Sequence, residues 1–212
     1  MASPSRSPWI IGLDLGTSTC KALAVDEHLR VLAQGSAGYP LLTPRPGWVE
    51  QSAQDVWKGV LAALRELGQS LPLGEAQALG FSGAMHSLLA IDAHGEPFAP
   101  AWTWADTRAA PQAALLRASA DATGLYARTG CPVQAVYWPA RLRWLREEQP
   151  ELVQATQYFV EIKDWVLFRL SGEWATDRSL ASSTGLLDLR TLRWNEQALA
   201  LAGIDAERLP PL

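Results

Sequence analysis

The 212-residue sequence holds only two cysteines, Cys20 and Cys131, and three histidines. Two cysteines do not make a disulfide framework, so a reducing, cytoplasmic setting is the expectation. Three histidines far apart in sequence leave a zinc site without an ordinary ligand set. No uninterrupted apolar run approaches the ~20 residues that span a bilayer, and the early run "WIIGL" is interrupted too soon to be a signal-peptide core. The net charge of −4 comes without any block of like charges, so neither nucleic acid nor a membrane surface is an expected partner. G-x-G-x-x-G and G-x-x-x-x-G-K-[ST] are both missing, which removes the dinucleotide fingerprint and the P-loop. There is no repeat of fixed period and no low-complexity segment.

What is present is a globular composition, 48% hydrophobic and 19% charged. Residues 1–8, "MASPSRSP", are polar and expected to be disordered. The end, "AGIDAERLPPL", reads as a chain cut at a loop, so a fragment is the expectation.

Short apolar runs at 9–15, 20–26 and 29–39 read as three strands of a meander, the third irregular at Gly35. Ser52 and Asp55 open a helix as in a capping box, and Val56, Val60, Leu64 and Leu67 carry its apolar face over 53–67, with Gly68 as its end. Strands at 76–83 and 87–92 flank a Gly-Ala-Met-His turn. Helices are expected at 107–119, 139–148, 151–156, 160–170 and 195–202. Strands, helix, strands and then helices imply an α/β fold, a mixed sheet with flanking helices.

The chemistry starts at "IIGLDLGTSTCKALAVD". Asp14 lies inside an apolar run, and a buried-looking carboxylate needs a partner. Gly16 permits a tight turn, and Thr17, Ser18 and Thr19 set three hydroxyls beside successive backbone N–H groups, which is how anion-binding nests are built. Lys21 adds a cation. Asp14 would repel a phosphate there unless a metal intervened, and Mg²⁺ binds through one or two carboxylates plus phosphates. The expected partner of Asp14 is therefore a hydrated Mg²⁺ carried by a nucleotide. The same stretch also reads as a plain hairpin whose Asp and Thr satisfy the turn's own N–H groups.

"GLDLGTSTCKALAVD" resembles the first phosphate-binding motif of the actin/hexokinase/Hsp70 superfamily. Further along, "GFSGAMHSLLAIDAHGEPFAPAWTWADTR", "TGCPVQAVYWPARLRWLREEQPE" and "IKDWVLFRLSGEWATDRSLASSTGLLDLRTLRWNEQALALAGI" resemble the FGGY carbohydrate kinases, so that the likeness covers about residues 9–209. "AMHSLLAID", "TWAD" and "IKDWVLFRL" are most similar to gluconokinases, with xylulokinases next. The resemblance implies an RNase H-like N-terminal lobe over 9–212, with a second lobe of comparable size absent from the chain.

It also implies roles. Asp14 is the indirect Mg²⁺ ligand, and Thr17, Ser18, Thr19 and Lys21 hold nucleotide phosphates. Met85 and His86 contact the sugar, the first by packing and the second by hydrogen bonding. Trp104, Asp106 and Arg108 match a W-x-D-x-R pattern; Asp106 contacts the sugar or caps the following helix, and Arg108 pairs with a neighbouring acid or the loop backbone. Trp102 and Trp104 share a face if that stretch is extended. Lys163, Asp164 and Asp177 are lesser candidates for the sugar cleft. Val136-Tyr137-Trp138 departs from relatives near the sugar.

The implied reaction is phosphoryl transfer from ATP, with Mg²⁺, to a sugar or sugar-acid hydroxyl, gluconate first and xylulose second. The family's general base, an aspartate in a Gly-Asp motif, has no match before Leu212, so no catalytic base is assigned and the fragment alone is expected to be inactive. Its own C-terminal lobe and a second copy are the expected macromolecular partners. Two other readings stay open: a sugar- or nucleotide-binding module without catalysis, and an actin- or Hsp70-like ATPase, which gives no reason for "AMHS" or "TWAD".

Overall fold

The computed structural model describes residues 8–119 and 122–212. The expected disorder at 1–8 falls, apart from Pro8, outside the described residues. In chain order the first part holds β1 (Trp9–Leu15), β2 (Thr19–Asp26), β3 (Val31–Gly38), β4 (Leu41–Leu42), β5 (Glu50–Gln51), α1 (Ala53–Gly68) and β6 (Leu79–Gly83). There follow β7 (Leu89–Ile91), β8 (Ala101–Trp102), α2 (Ala110–Ser119), α3 (Ala122–Thr129), α4 (Trp138–Glu148), α5 (Pro150–Ala155) and β9 (Tyr158–Val160). The last are α6 (Ile162–Ser171), α7 (Arg178–Ser183), β10 (Leu187–Asp188), β11 (Arg193–Trp194) and α8 (Glu196–Ala202).

The described residues divide into two compact units, one running to residue 41 and including 54–84, the other made of 42–53 and the residues from 85 on. The first is a four-stranded mixed sheet in the order β3-β2-β1-β6. β1 runs antiparallel to β2 and parallel to β6, as the meander and the returning helix require. Strict alternation sends Trp9, Ile11, Leu13 and Leu15 inward with Cys20, Ala22 and Ala24 of β2. α1 supplies the matching stripe of Val56, Val60, Ala63 and Leu67, all buried.

At Gly35 helix and sheet come into close approach. A Cβ there would lie 2.2 Å from the Ala63 carbonyl oxygen and 2.9 Å from the Leu67 amide nitrogen. The irregularity expected at Gly35 sits instead at the Ala24–Val25 step of β2, opposite Val31–Ala33. Gly35 thus serves helix packing rather than a break in pairing.

The second unit is organised around α4, whose Leu142 and Leu145 join Trp102, Trp138, Phe159, Leu186 and Leu199 in one apolar cluster. β7 pairs antiparallel with β9, and β5 with β8. β9 occupies the stretch just before the helix expected from residue 160. Three residues carry no period, and its partner lies far away in sequence.

Candidate functional site

In the first unit the hairpin register sets Leu15 opposite Cys20 and Asp14 opposite Lys21, with Ser82 of β6 as Asp14's parallel neighbour. The alternation that buries Leu13 and Leu15 exposes Asp14, Lys21 and Ser82. Asp14 is therefore an exposed carboxylate, not the buried one its apolar neighbours suggested. It makes no ion pair among the described residues.

The loop between the strands is held from within. The Gly16 N–H donates to the Thr19 carbonyl at 2.9 Å, and a Cβ at Gly16 would come within 3.0 Å of that oxygen. Tyr39, buried behind the loop, donates its amide to the Ser18 carbonyl at 2.9 Å and its hydroxyl to the Gly16 carbonyl at 2.6 Å. Three loop carbonyls are thus engaged internally, which removes acceptors that would repel an anion. Ser18 is exposed; Thr17 and Thr19 are half-buried. One exposed carboxylate beside a hydroxyl-rich turn fits a hydrated Mg²⁺ on a phosphate. Among the described residues no group of three His, Cys, Asp or Glu side chains could cage a metal by itself.

The second unit holds Met85, His86, Trp104 and Asp106. Met85 and Trp104 are 45% and 55% exposed, whereas Trp102 is in the core. β8 ends at Trp102 and the chain turns, so the two tryptophans do not share a face as expected of an extended stretch. Asp106 is 2% exposed and accepts from Arg108 Nη2 at 2.6 Å and from the Val49 amide at 2.8 Å. Arg108 also reaches Glu50 at 2.6 Å and stacks between Trp48 and Trp102, 3.5 and 4.1 Å from their ring centres. The pairing expected of Arg108 is present, and Asp106 is its partner.

His86 has φ +66°, a left-handed conformation that costs a histidine about 1 kcal/mol or more. Two buried side chains hold it, one on each side. The His86 amide donates to Glu161 Oε1 at 3.0 Å, and Arg141 Nη1 donates to the His86 carbonyl at 2.6 Å. Glu161 also takes the Ser87 amide at 2.6 Å and the Ser87 hydroxyl. That hydroxyl in turn accepts the Ile162 amide at 2.8 Å, so Ser87 caps α6 in place of Glu161, the residue at the capping position. Glu161 and Arg141 are 1% and 0% exposed. Burial pushes the Glu161 carboxyl up to about 8 and the Arg141 guanidinium down to about 10.

The imidazole is fixed as well. Nδ1 lies 2.9 Å from the Ser183 carbonyl oxygen, which can only accept, so Nδ1 carries the hydrogen. Burial holds the ring's pKa below its usual value and keeps it neutral. Nε2 is then a hydrogen-bond acceptor. Tyr137 packs edge-on to the ring at 5.4 Å, and Trp138 Nε1 donates to the Ser87 carbonyl at 2.9 Å. Tyr137 and Trp138 thus lie against this loop.

Lys163 and Asp177 pair with each other, Asp177 caps α7 through the Leu180 amide, and Asp164 is buried. Glu161 and Arg141 escaped the sequence reading because each meets His86 only across a long sequence separation. The one available signal was a charged residue amid apolar neighbours.

The family model of the FGGY family of carbohydrate kinases, N-terminal domain, matches residues 9–212. Gluconokinase of Bacillus subtilis is 32% identical over 204 residues, 96% of this chain and 40% of that protein. Xylulose kinase of Streptomyces rubiginosus is 35% identical over 210 residues, 98% of this chain and 43% of that protein. The crystal structure of gluconate kinase from Lactobacillus acidophilus superimposes with a TM-score of 0.92 at 30% identity, over 97% of this chain and 42% of that one. The chain thus spans about two fifths of the length of the relatives it matches. With that match over nearly its whole length, the chain belongs to the FGGY family of carbohydrate kinases.

Proposed function

We propose that the full-length gene product transfers a phosphoryl group from ATP to a hydroxyl of a sugar or sugar acid, gluconate foremost. The observation that carries this reading is the His86 imidazole, whose Nδ1 is tied to the Ser183 carbonyl so that Nε2 is left to accept a hydrogen bond from a sugar hydroxyl. Met85 and Trp104 offer exposed apolar surface for sugar carbons. Asp106, saturated by Arg108 and Val49, acts on the sugar side by fixing the loop around Trp104.

Asp14, Thr17, Ser18, Thr19 and Lys21 hold the nucleotide phosphates, Asp14 through hydrated Mg²⁺. When bound, that ion neutralises phosphate charge. The chain's own part is positioning and charge complementarity, which carry most of the catalysis in phosphoryl transfer. No residue of the chain is assigned as the general base, and the 212-residue chain alone has no substantial activity. The relatives' length, more than twice the matched span, supports that view.

Xylulose is the alternative to gluconate, because a xylulose kinase is 35% identical over the same span. A coupled ADP-release screen of the full-length product with MgATP and gluconate, xylulose, ribulose or glycerol tests the reading. Turnover with gluconate is the expected result; release with none of the four overturns it.

A further inference from the structure

We propose that Glu161 is a positioning residue: its buried carboxyl, opposed by Arg141 across the same peptide, holds the His86–Ser87 turn in the left-handed shape that presents the His86 imidazole to substrate. The inference rests on the reading of His86 as a sugar contact and adds a residue of unassigned role, on a different element.

Four features support it. Glu161 occupies the capping position of α6 yet leaves that helix uncapped by its own side chain. Its two oxygens go instead to the amides of His86 and Ser87, 3.0 and 2.6 Å away, and to the Ser87 hydroxyl. Ser87 returns the exchange by accepting the Ile162 amide, so the turn and the start of α6 are locked as one piece. Arg141 grips the opposite side, at the carbonyls of His86 and Thr103. A histidine persists at positive φ only where its surroundings over-determine it. Here one carboxyl takes the amide on one side, one guanidinium takes the carbonyl on the other, and Ser183 takes the ring nitrogen. With backbone and ring both fixed, the only freedom left to Nε2 is what the substrate supplies.

Glu161→Gln keeps the side chain's shape but turns an NH₂ against one of the donors that Glu161 accepts. In the full-length product it is expected to raise the sugar KM about tenfold, the worth of one buried hydrogen bond, with the ATP KM within about twofold of wild type. His86→Asn tolerates the left-handed backbone and removes the ring. Added to His86→Asn, Glu161→Gln is expected to raise the sugar KM no further, because both act through one imidazole. In the 212-residue chain, which has three histidines to assign, the His86 ring ¹⁵N resonances are expected to move in Glu161→Gln.

Additive effects on the sugar KM overturn the proposal, as do unmoved His86 resonances in a folded Glu161→Gln chain. Ser87→Ala, which removes one donor from Glu161, is the milder second variant and must shift the same resonances by a smaller amount. If the wild-type protein phosphorylates no sugar, the proposed function fails, while the resonances still decide the positioning claim.

Discussion

His86 Nδ1 and the Ser183 carbonyl oxygen lie 2.9 Å apart, and a carbonyl cannot donate, so this contact sets the tautomer of the ring. Burial lowers the imidazole's pKa from 6.5, with the Arg141 charge adding to it and the Ser183 bond opposing it. The folded state therefore binds fewer protons here than the unfolded chain. Its contribution is full above 6.5 and lost as the pH falls through the lower folded value. Sugar affinity is expected to follow the same course, because protonation turns the accepting Nε2 into a donor. A profile of sugar KM against pH checks this: wild type weakens on the acid side, and His86→Asn is weak throughout with that limb gone.

Asp14 is exposed, so its removal separates function from fold. Asp14→Asn is expected to move stability by no more than about 0.5 kcal/mol. It should lower kcat/KM for ATP on the order of a hundredfold, the scale of losing one group that manages charge in the transition state. Denaturant titration and steady-state kinetics on one preparation test both halves.

Glu161 and Asp164 make the opposite titration to His86. Burial raises their carboxyls to about 8 and about 7, from 4.5 and 3.8. The folded chain holds protons that the unfolded chain releases, so this stabilisation is full below the ordinary carboxylate range and lost as pH rises through those values. The unfolding free energy is expected to fall between about pH 5 and about pH 8.5, by at most about 1.4 kcal/mol per pH unit for each group, and the thermal midpoint to fall with it. Glu161→Gln should flatten its share of the slope. A wild-type midpoint that rises over that range contradicts the account.

Gly35→Ala places a methyl 2.2 Å from a backbone carbonyl that cannot move aside without moving α1. The expected cost is about 3 kcal/mol, at the upper end for overpacking. Urea denaturation measures it, and a loss near zero would show that helix and sheet are not in contact there.

Much of this was legible beforehand because it rests on period. The alternation of β1 and the helical stripe of α1 are local patterns, and both elements lie where the sequence puts them. The same alternation, followed one residue at a time, also predicts that Asp14 faces outward; the apolar run around it suggested burial instead. β9, α3 and α7 were not anticipated, and the three residues of β9 carry too little pattern to be read as a strand. At the candidate site, His86 and Asp14 were singled out through local motifs. Glu161 was not, because its partners lie 74 and 75 residues away and neither end predicts the other. Trp104 was expected beside Trp102, but a strand of two residues ends before the alternation can apply.

The most direct measurement is ADP release by the full-length product with gluconate and MgATP, run on wild type, Asp14→Asn and His86→Asn together. The account predicts turnover by wild type, its loss in Asp14→Asn with gluconate binding retained, and a raised gluconate KM in His86→Asn with the ATP KM unchanged. Undiminished turnover by Asp14→Asn, or no release by wild type with any of the four sugars and polyols screened, would contradict it.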